Sequence, residues 1–171
     1  MIVYKFKVTF EEVDDVERVI EITASQTFND LYACIIDQIK FKADTLASFY
    51  VSGDAWRKGK EISNNPDRGA VLMSDAKLNT YVNDPHQRFL LITEDDLEWT
   101  LRIALFKIER GNPENSYPVC TKAVGEAPKQ TKADKLGLAT NEFEAMVDEI
   151  ITDEDEELDI SEMGFDDEME G

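Results

Sequence analysis

Residues 2–10 read IVYKFKVTF, and their alternation limits what can follow. Ile2, Tyr4, Phe6, Val8 and Phe10 interleave with Val3, Lys5, Lys7 and Thr9. A period of two predicts a β-strand with one apolar face. EEVDD, residues 11–15, is a polar turn, and Val16 to Thr23 is extended again, with Val16, Ile20 and Ile22 on one side. The pair predicts an antiparallel hairpin. The next segment, TFNDLYACIIDQIKF, changes period. Phe28, Leu31, Tyr32, Ile35 and Ile39 recur at helical spacing, Thr27 can cap the first turn, and Asp30 sits near the positive end of the helix. That apolar stripe is expected to pack on the apolar face of the hairpin.

The rest continues in antiparallel β style. LASFYVSG, residues 46–53, predicts a third strand, and WRKGKEISNNPDRG a loop or ragged edge strand. Ala70 to Met73 is a candidate short strand, and residues 74–82 a capped helix with Leu78 and Val82 turned inward. Gln87 to Thr93 and Glu98 to Ile108 are the clearest late strands, joined by the polar turn EDDL. In the longer one Trp99, Leu101, Ile103 and Leu105 share a face. The opposite face becomes apolar at Phe106 and Ile108, which predicts cover on both sides there. Residues 111–134 read as a long irregular segment holding Cys120. The fold class is α+β: an N-terminal antiparallel hairpin with a packed helix, further antiparallel strands, and an acidic C-terminal extension.

Charge divides the chain. Of 37 acidic residues fifteen lie from Leu136 onward, where there is no lysine or arginine, so the first 135 residues hold 22 acids against 18 bases. The expected organisation is a globular domain over 1–135, an amphipathic helix over 136–151 with Phe143, Met146, Val147 and Ile150 on one face, and a disordered tail over 152–171. The tail mixes carboxylates with Leu158, Ile160, Met163 and Phe165. Such a mixture suits a segment that orders on a basic partner surface, and its charge argues against direct contact with nucleic acid. No apolar run has the roughly 18–20 residues needed to cross a bilayer, and the N-terminus lacks a signal-peptide pattern, so a cytoplasmic location is expected. Two cysteines are too few for a disulfide framework. Nothing in the sequence sets the oligomeric state.

Candidate chemistry is sparse. One histidine, His86, and two separated cysteines do not make a zinc set, and DEDEELD lacks the alternation of a calcium loop, so no metal or cofactor is expected. Cys120 with His86 as base would be needed for nucleophilic catalysis, and Asp95–Asp96 for acid–base work. For each the blander alternative, a loop-anchoring thiol and a turn-shaping aspartate pair, is favoured. No phosphate-binding loop is present. Trp56, Arg57, Lys58 and Lys60 form the one basic cluster beside an aromatic residue. They are a candidate single-strand contact, or an edge guarded by lysines.

Leu46 and Phe49 in the third strand, Asp95, Asp96 and Trp99 at the late turn, and Tyr117, Pro118, Cys120, Gly125 and Pro128 in the loop make up a pattern over roughly residues 1–130. In it the chain resembles the plasmid ORF-three-like family, also known as insertion-element passenger TnpR-like proteins. It departs from many members in lacking a glycine in the aspartate turn and in following Pro128 with Lys129 and Gln130. The resemblance implies a compact α+β fold and a link to mobile elements, and no particular reaction. The reading of the whole is a non-enzymatic interaction module whose acidic-apolar arm engages a basic partner. The alternatives are an enzyme using the Cys120 loop and Asp95–Asp96, and a nucleic-acid accessory factor of mobile elements.

Overall fold

The computed structural model describes residues 1–136. The expected helix over 136–151, apart from its first residue, and the acidic segment 152–171 with Leu158, Ile160, Met163 and Phe165 lie outside the described residues. The chain divides into two units, Met1–Gln130 and Thr131–Gly171, and of the second a short helix, Lys132–Leu136, is described.

The opening hairpin forms as its alternation requires. Strand β1 (Ile2–Phe10) pairs antiparallel with β2 (Glu17–Thr23), from Val3↔Thr23 to Thr9↔Glu17. Tyr4, Phe6, Val8 and Phe10 are buried, while Lys5 and Lys7 on the other face pair with Glu21, Glu109 and Glu17 at 3.3–3.7 Å. Helix α1 (Phe28–Ile39) covers the apolar side, burying Phe28, Leu31, Tyr32, Ile35, Ile36 and Ile39. It starts at a capping box: Asp30 N donates to Thr27 Oγ1 at 3.2 Å, and Thr27 N donates to Asp30 Oδ2 at 3.1 Å. Thr27→Ala leaves the Asp30 N–H without its side-chain acceptor, and thermal or urea unfolding should show a loss of about 1 kcal/mol.

Arg18 interrupts the apolar side of β2, and its burial has a reason. The last turn of α1 has no basic residue of its own. Arg18 Nε donates to Gln38 O there at 3.4 Å, and its NH1 donates to Val124 O at 2.8 Å and Glu17 O at 2.9 Å. A cation from the sheet thus meets the negative end of the helix.

The remaining strands are β3 (Ala47–Ser52), β4 (Glu61–Ser63), β5 (Val71–Leu72), β6 (Arg88–Thr93), β7 (Thr100–Arg110) and β8 (Val119–Val124). They join the hairpin in one eight-stranded sheet of order β5-β4-β3-β6-β7-β1-β2-β8. All neighbours are antiparallel except β4 and β5. Phe28 joins the layers, its ring centroid 5.1 Å from Phe49, 5.2 Å from Phe89 and 5.7 Å from Tyr81. Among the described residues no helix is long and apolar enough to cross a membrane.

Three expectations change. The segment 111–134 is not irregular throughout, since β8 lies inside it and Cys120 is a strand residue. The helix expected over 74–82 contracts to a 3-10 turn at Met73–Asp75 and a four-residue helix α2 (Leu78–Tyr81), which lacks a side-chain cap; Leu78 does point inward. Phe106 and Ile108 are not covered: they are 47% and 44% exposed. A bulge opposite Lys5/Phe6 also splits the face they were expected to share. Before it Leu105 faces Phe6, and after it Ile108 faces Tyr4, so Ile108 switches to the helix side of the sheet.

Candidate functional site

On the sheet's polar face, side chains of β3, β6 and β7 line up in cross-strand rows. Ser48, Ile92 and Thr100 form one; Tyr50, Leu90 and Arg102 form the next. Above them opens a bowl of about 450 Å³. The loop between β3 and β4 makes one wall. It is pinned by Trp56 N to Gly53 O (3.0 Å), Gly59 N to Val51 O (2.8 Å) and Val51 N to Lys60 O (2.9 Å). A Cβ at Gly59 would stand 2.4 Å from Val51 O, so the return of the chain to β3 requires glycine. The loop holds Trp56 at φ 57°, a left-handed conformation that costs a residue with a side chain of order 1 kcal/mol. The guanidinium carbons of Arg88 and Arg102 lie 4.9 and 5.0 Å from its ring centroid, which offsets that cost through cation–π attraction.

Charges of both signs stand around the bowl. Near β4, Glu61 takes short hydrogen bonds from Arg68 and from Ser48 Oγ (2.7 Å), and Arg68 NH2 donates to Tyr50 Oη at 3.3 Å. The hydrogen bond from Arg68 holds the Glu61 carboxyl below its ordinary pKa. The Lys58 ammonium lies 5.2 Å from the Tyr50 ring centroid. At the β6–β7 turn stand Glu94 and Glu98, with Glu11 beside them paired to Arg102 at 3.2 Å. Of the basic cluster read in the sequence, Trp56 and Lys58 line the bowl, whereas Arg57 and Lys60 are exposed outside its lining.

The aspartate turn is tied by hydrogen bonds to Asp95. Asp95 Oδ1 accepts from Thr93 Oγ1 (3.1 Å) and Glu98 N (2.8 Å), closing the turn, while Oδ2 accepts from Gln130 Nε2 at 3.2 Å. Asp96 adjoins it in the same turn, outside the bowl's lining. Gln130 is the residue that sequence reasoning missed. It is buried, its Oε1 accepts from Lys42 N at 2.7 Å, and its Nε2 also donates to Thr45 Oγ1 at 2.6 Å. Its carbonyl accepts from Trp99 Nε1 at 2.8 Å. Trp99 is buried between Phe10 and Phe41. No periodic pattern marks Gln130, because its partners come from distant segments.

Cys120 and His86 are not brought together. Cys120 lies on β8 with its thiol donating to Lys122 O at 3.3 Å. His86 occupies the exposed turn before β6, its backbone N–H on Asp84 Oδ1 at 2.7 Å. Strands β7, β1 and β2 intervene, a separation of about 19 Å at ordinary strand spacing. Asp95 sits at the far end of β6 from His86. The other cysteine, Cys34 on α1, has its pKa pushed up to about 11, chiefly by burial. Tyr117 and Pro118, joined by a cis peptide, anchor the approach to β8: Gln26 Nε2 donates to Tyr117 O at 3.1 Å and Asn112 N to its hydroxyl at 3.3 Å. Among the described residues no group of three His, Cys, Asp or Glu could hold a metal ion.

The family model described as plasmid pRiA4b ORF-3-like protein matches residues 2–169, well beyond the 1–130 covered by the motif resemblance. No curated protein matches the sequence. The fold is similar to a crystal structure of a protein of unknown function from Methanosarcina mazei Go1, at TM-score 0.60 and 23% identity, over 71% of this chain and 68% of that one.

Proposed function

The chain belongs to the plasmid pRiA4b ORF-3-like family, and for it we propose a non-enzymatic role as a cytoplasmic interaction module without metal or cofactor. A nearly charge-balanced folded platform presents an acidic-apolar arm, and the arm engages a basic surface of another protein. One observation carries the reading: fourteen of the fifteen acids beyond Leu136 fall inside the family match, which runs to residue 169, and so do Leu158, Ile160, Met163 and Phe165. Carboxylates speed encounter with a basic surface, and each of Ile160, Met163 and Phe165 contributes about 1.5–3 kcal/mol if fully enclosed. The separate positions of Cys120, His86 and the Asp95 turn favour this role over an enzyme built on those groups. The plasmid origin in the family's name supports a partner drawn from mobile elements, including the insertion-element setting of the TnpR-like label.

The test is affinity capture with the full chain and with a chain ending at residue 151, side by side. Basic proteins should be retained by the first, lost with the second, and released by salt that screens surface charge. Retention of the same proteins by both chains would refute the arm. Salt-sensitive retention of nucleic acid by the shortened chain alone would favour an accessory factor acting through Lys58 and its neighbours.

A further inference from the structure

No role described so far uses the two cysteines. Cys34 lies on α1 and Cys120 on β8, and both are half-buried against the hydrophobic core. Helix and strand are tied to each other at both ends. Near their starts Gln26 Nε2 donates to Tyr117 O at 3.1 Å. Near their ends Arg18 reaches both, donating to Gln38 O at 3.4 Å and to Val124 O at 2.8 Å. The α-carbons of the two elements approach within 8 Å.

The Arg18 tie sets the two cysteines at one level. Cys34 is one helical turn back from Gln38, about 6 Å. Ile20 is two residues on from Arg18, about 7 Å. Both steps go the same way, because β2 leads into α1 through a tight turn and the two run in opposite directions. Cys120 is the direct partner of Ile20 in the sheet. Ile20 is fully buried in the core beneath α1, so Cys120 shares the helix side. The thiols sense one another there: after burial, Cys120 is the next cause of the raised Cys34 pKa.

We propose that Cys34 and Cys120 are a redox pair, which a peroxide joins in an intramolecular disulfide that fastens β8 to α1. Burial keeps Cys34 protonated, which assigns the first attack to Cys120. Its sulfur takes one peroxide oxygen, the O–O bond breaks, and a sulfenic acid and a water result. The Cys34 sulfur then displaces the hydroxyl, which leaves as a second water. Two thiols thus give two electrons and two protons to hydrogen peroxide. The Cys120 thiol gives up only a weak hydrogen bond, to Lys122 O at 3.3 Å. As the outermost strand, β8 can be drawn to the helix without straining any pairing on its outer side. The bond encloses β3 to β7 in one covalent loop, which raises resistance to unfolding.

The test uses the full chain, reduced and then treated with hydrogen peroxide in native buffer. The monomer should lose the mass of two hydrogens and its reaction with N-ethylmaleimide. A proteolytic digest should yield the Cys34 and Cys120 peptides joined, and dithiothreitol should separate them. Oxidation should raise the urea midpoint of the unmodified chain and leave that of Cys34→Ser unchanged. Three results would each overturn the proposal: oxygen added to the thiols with no joined peptides, disulfides formed only between two copies of the chain, or an equal rise in midpoint for folded Cys34→Ser. If that variant fails to fold, the digest of the unmodified chain decides.

Discussion

Phe28→Ala is expected to destabilise the protein by about 3–5 kcal/mol, a large share of a domain's total stability. Phe28 is fully buried where α1, β3, β6 and α2 meet, and three aromatic rings lie within 5.7 Å of it, centroid to centroid. Truncation removes the transfer energy of the ring, leaves a cavity, and forfeits three edge or tilted ring contacts at once. The neighbouring rings belong to three separate elements, so they cannot all close in on the gap. Denaturant unfolding should show a lower midpoint with the slope unchanged. Phe106→Ala supplies the control: the same atoms leave a side chain that is 47% exposed, and the change should stay within about 0.5 kcal/mol. Equal midpoints for the two variants would contradict the packing described.

Trp99→Ala should cost a similar amount, about 3–5 kcal/mol, for a partly different reason. The indole fills the space between Phe10 and Phe41, and its N–H also satisfies the Gln130 carbonyl. Trp99→Phe separates the two contributions. It keeps the ring contacts and deletes the donor, and should cost about 1–3 kcal/mol from the buried carbonyl left behind. A double-mutant cycle of Trp99→Phe with Gln130→Ala should show coupling, because both act on one hydrogen-bonded knot joining the α1–β3 loop to the β6–β7 turn. Strict additivity would mean that the knot is not a unit.

The parts of this architecture that could be read in advance obey a short period. Tyr4, Phe6, Val8 and Phe10 recur every second residue, and the buried stripe of α1 recurs every three or four. Both are decided by which neighbour along the chain shares a face. The capping box at Thr27 and Asp30 is equally local. Strand β8 escaped because its side chains are nearly all exposed, so no apolar alternation marks it. Gln130 and Arg18 escaped because their burial is explained by carbonyls and amides far away in sequence. Ile108 was misplaced because a single bulged residue reverses the parity on which facing is read. The bowl was half visible. Trp56 and Lys58 stood out as a basic-aromatic pair, but Arg88, Arg102, Glu94 and Glu98 join them only when three strands from different parts of the chain come into register.

The sheet's two margins bear on how anything can attach to it. On one side β5 contributes two residues, too few to template another strand. On the other, β8 is kinked where its pairing skips from Cys120 to Lys122, and Lys122 projects from the kink into an ion pair with Glu17. Main-chain zippering is thus discouraged at both borders. A visiting chain meets side chains before it meets backbone, so its termini and its residues, more than its capacity to become a ninth strand, determine whether it stays.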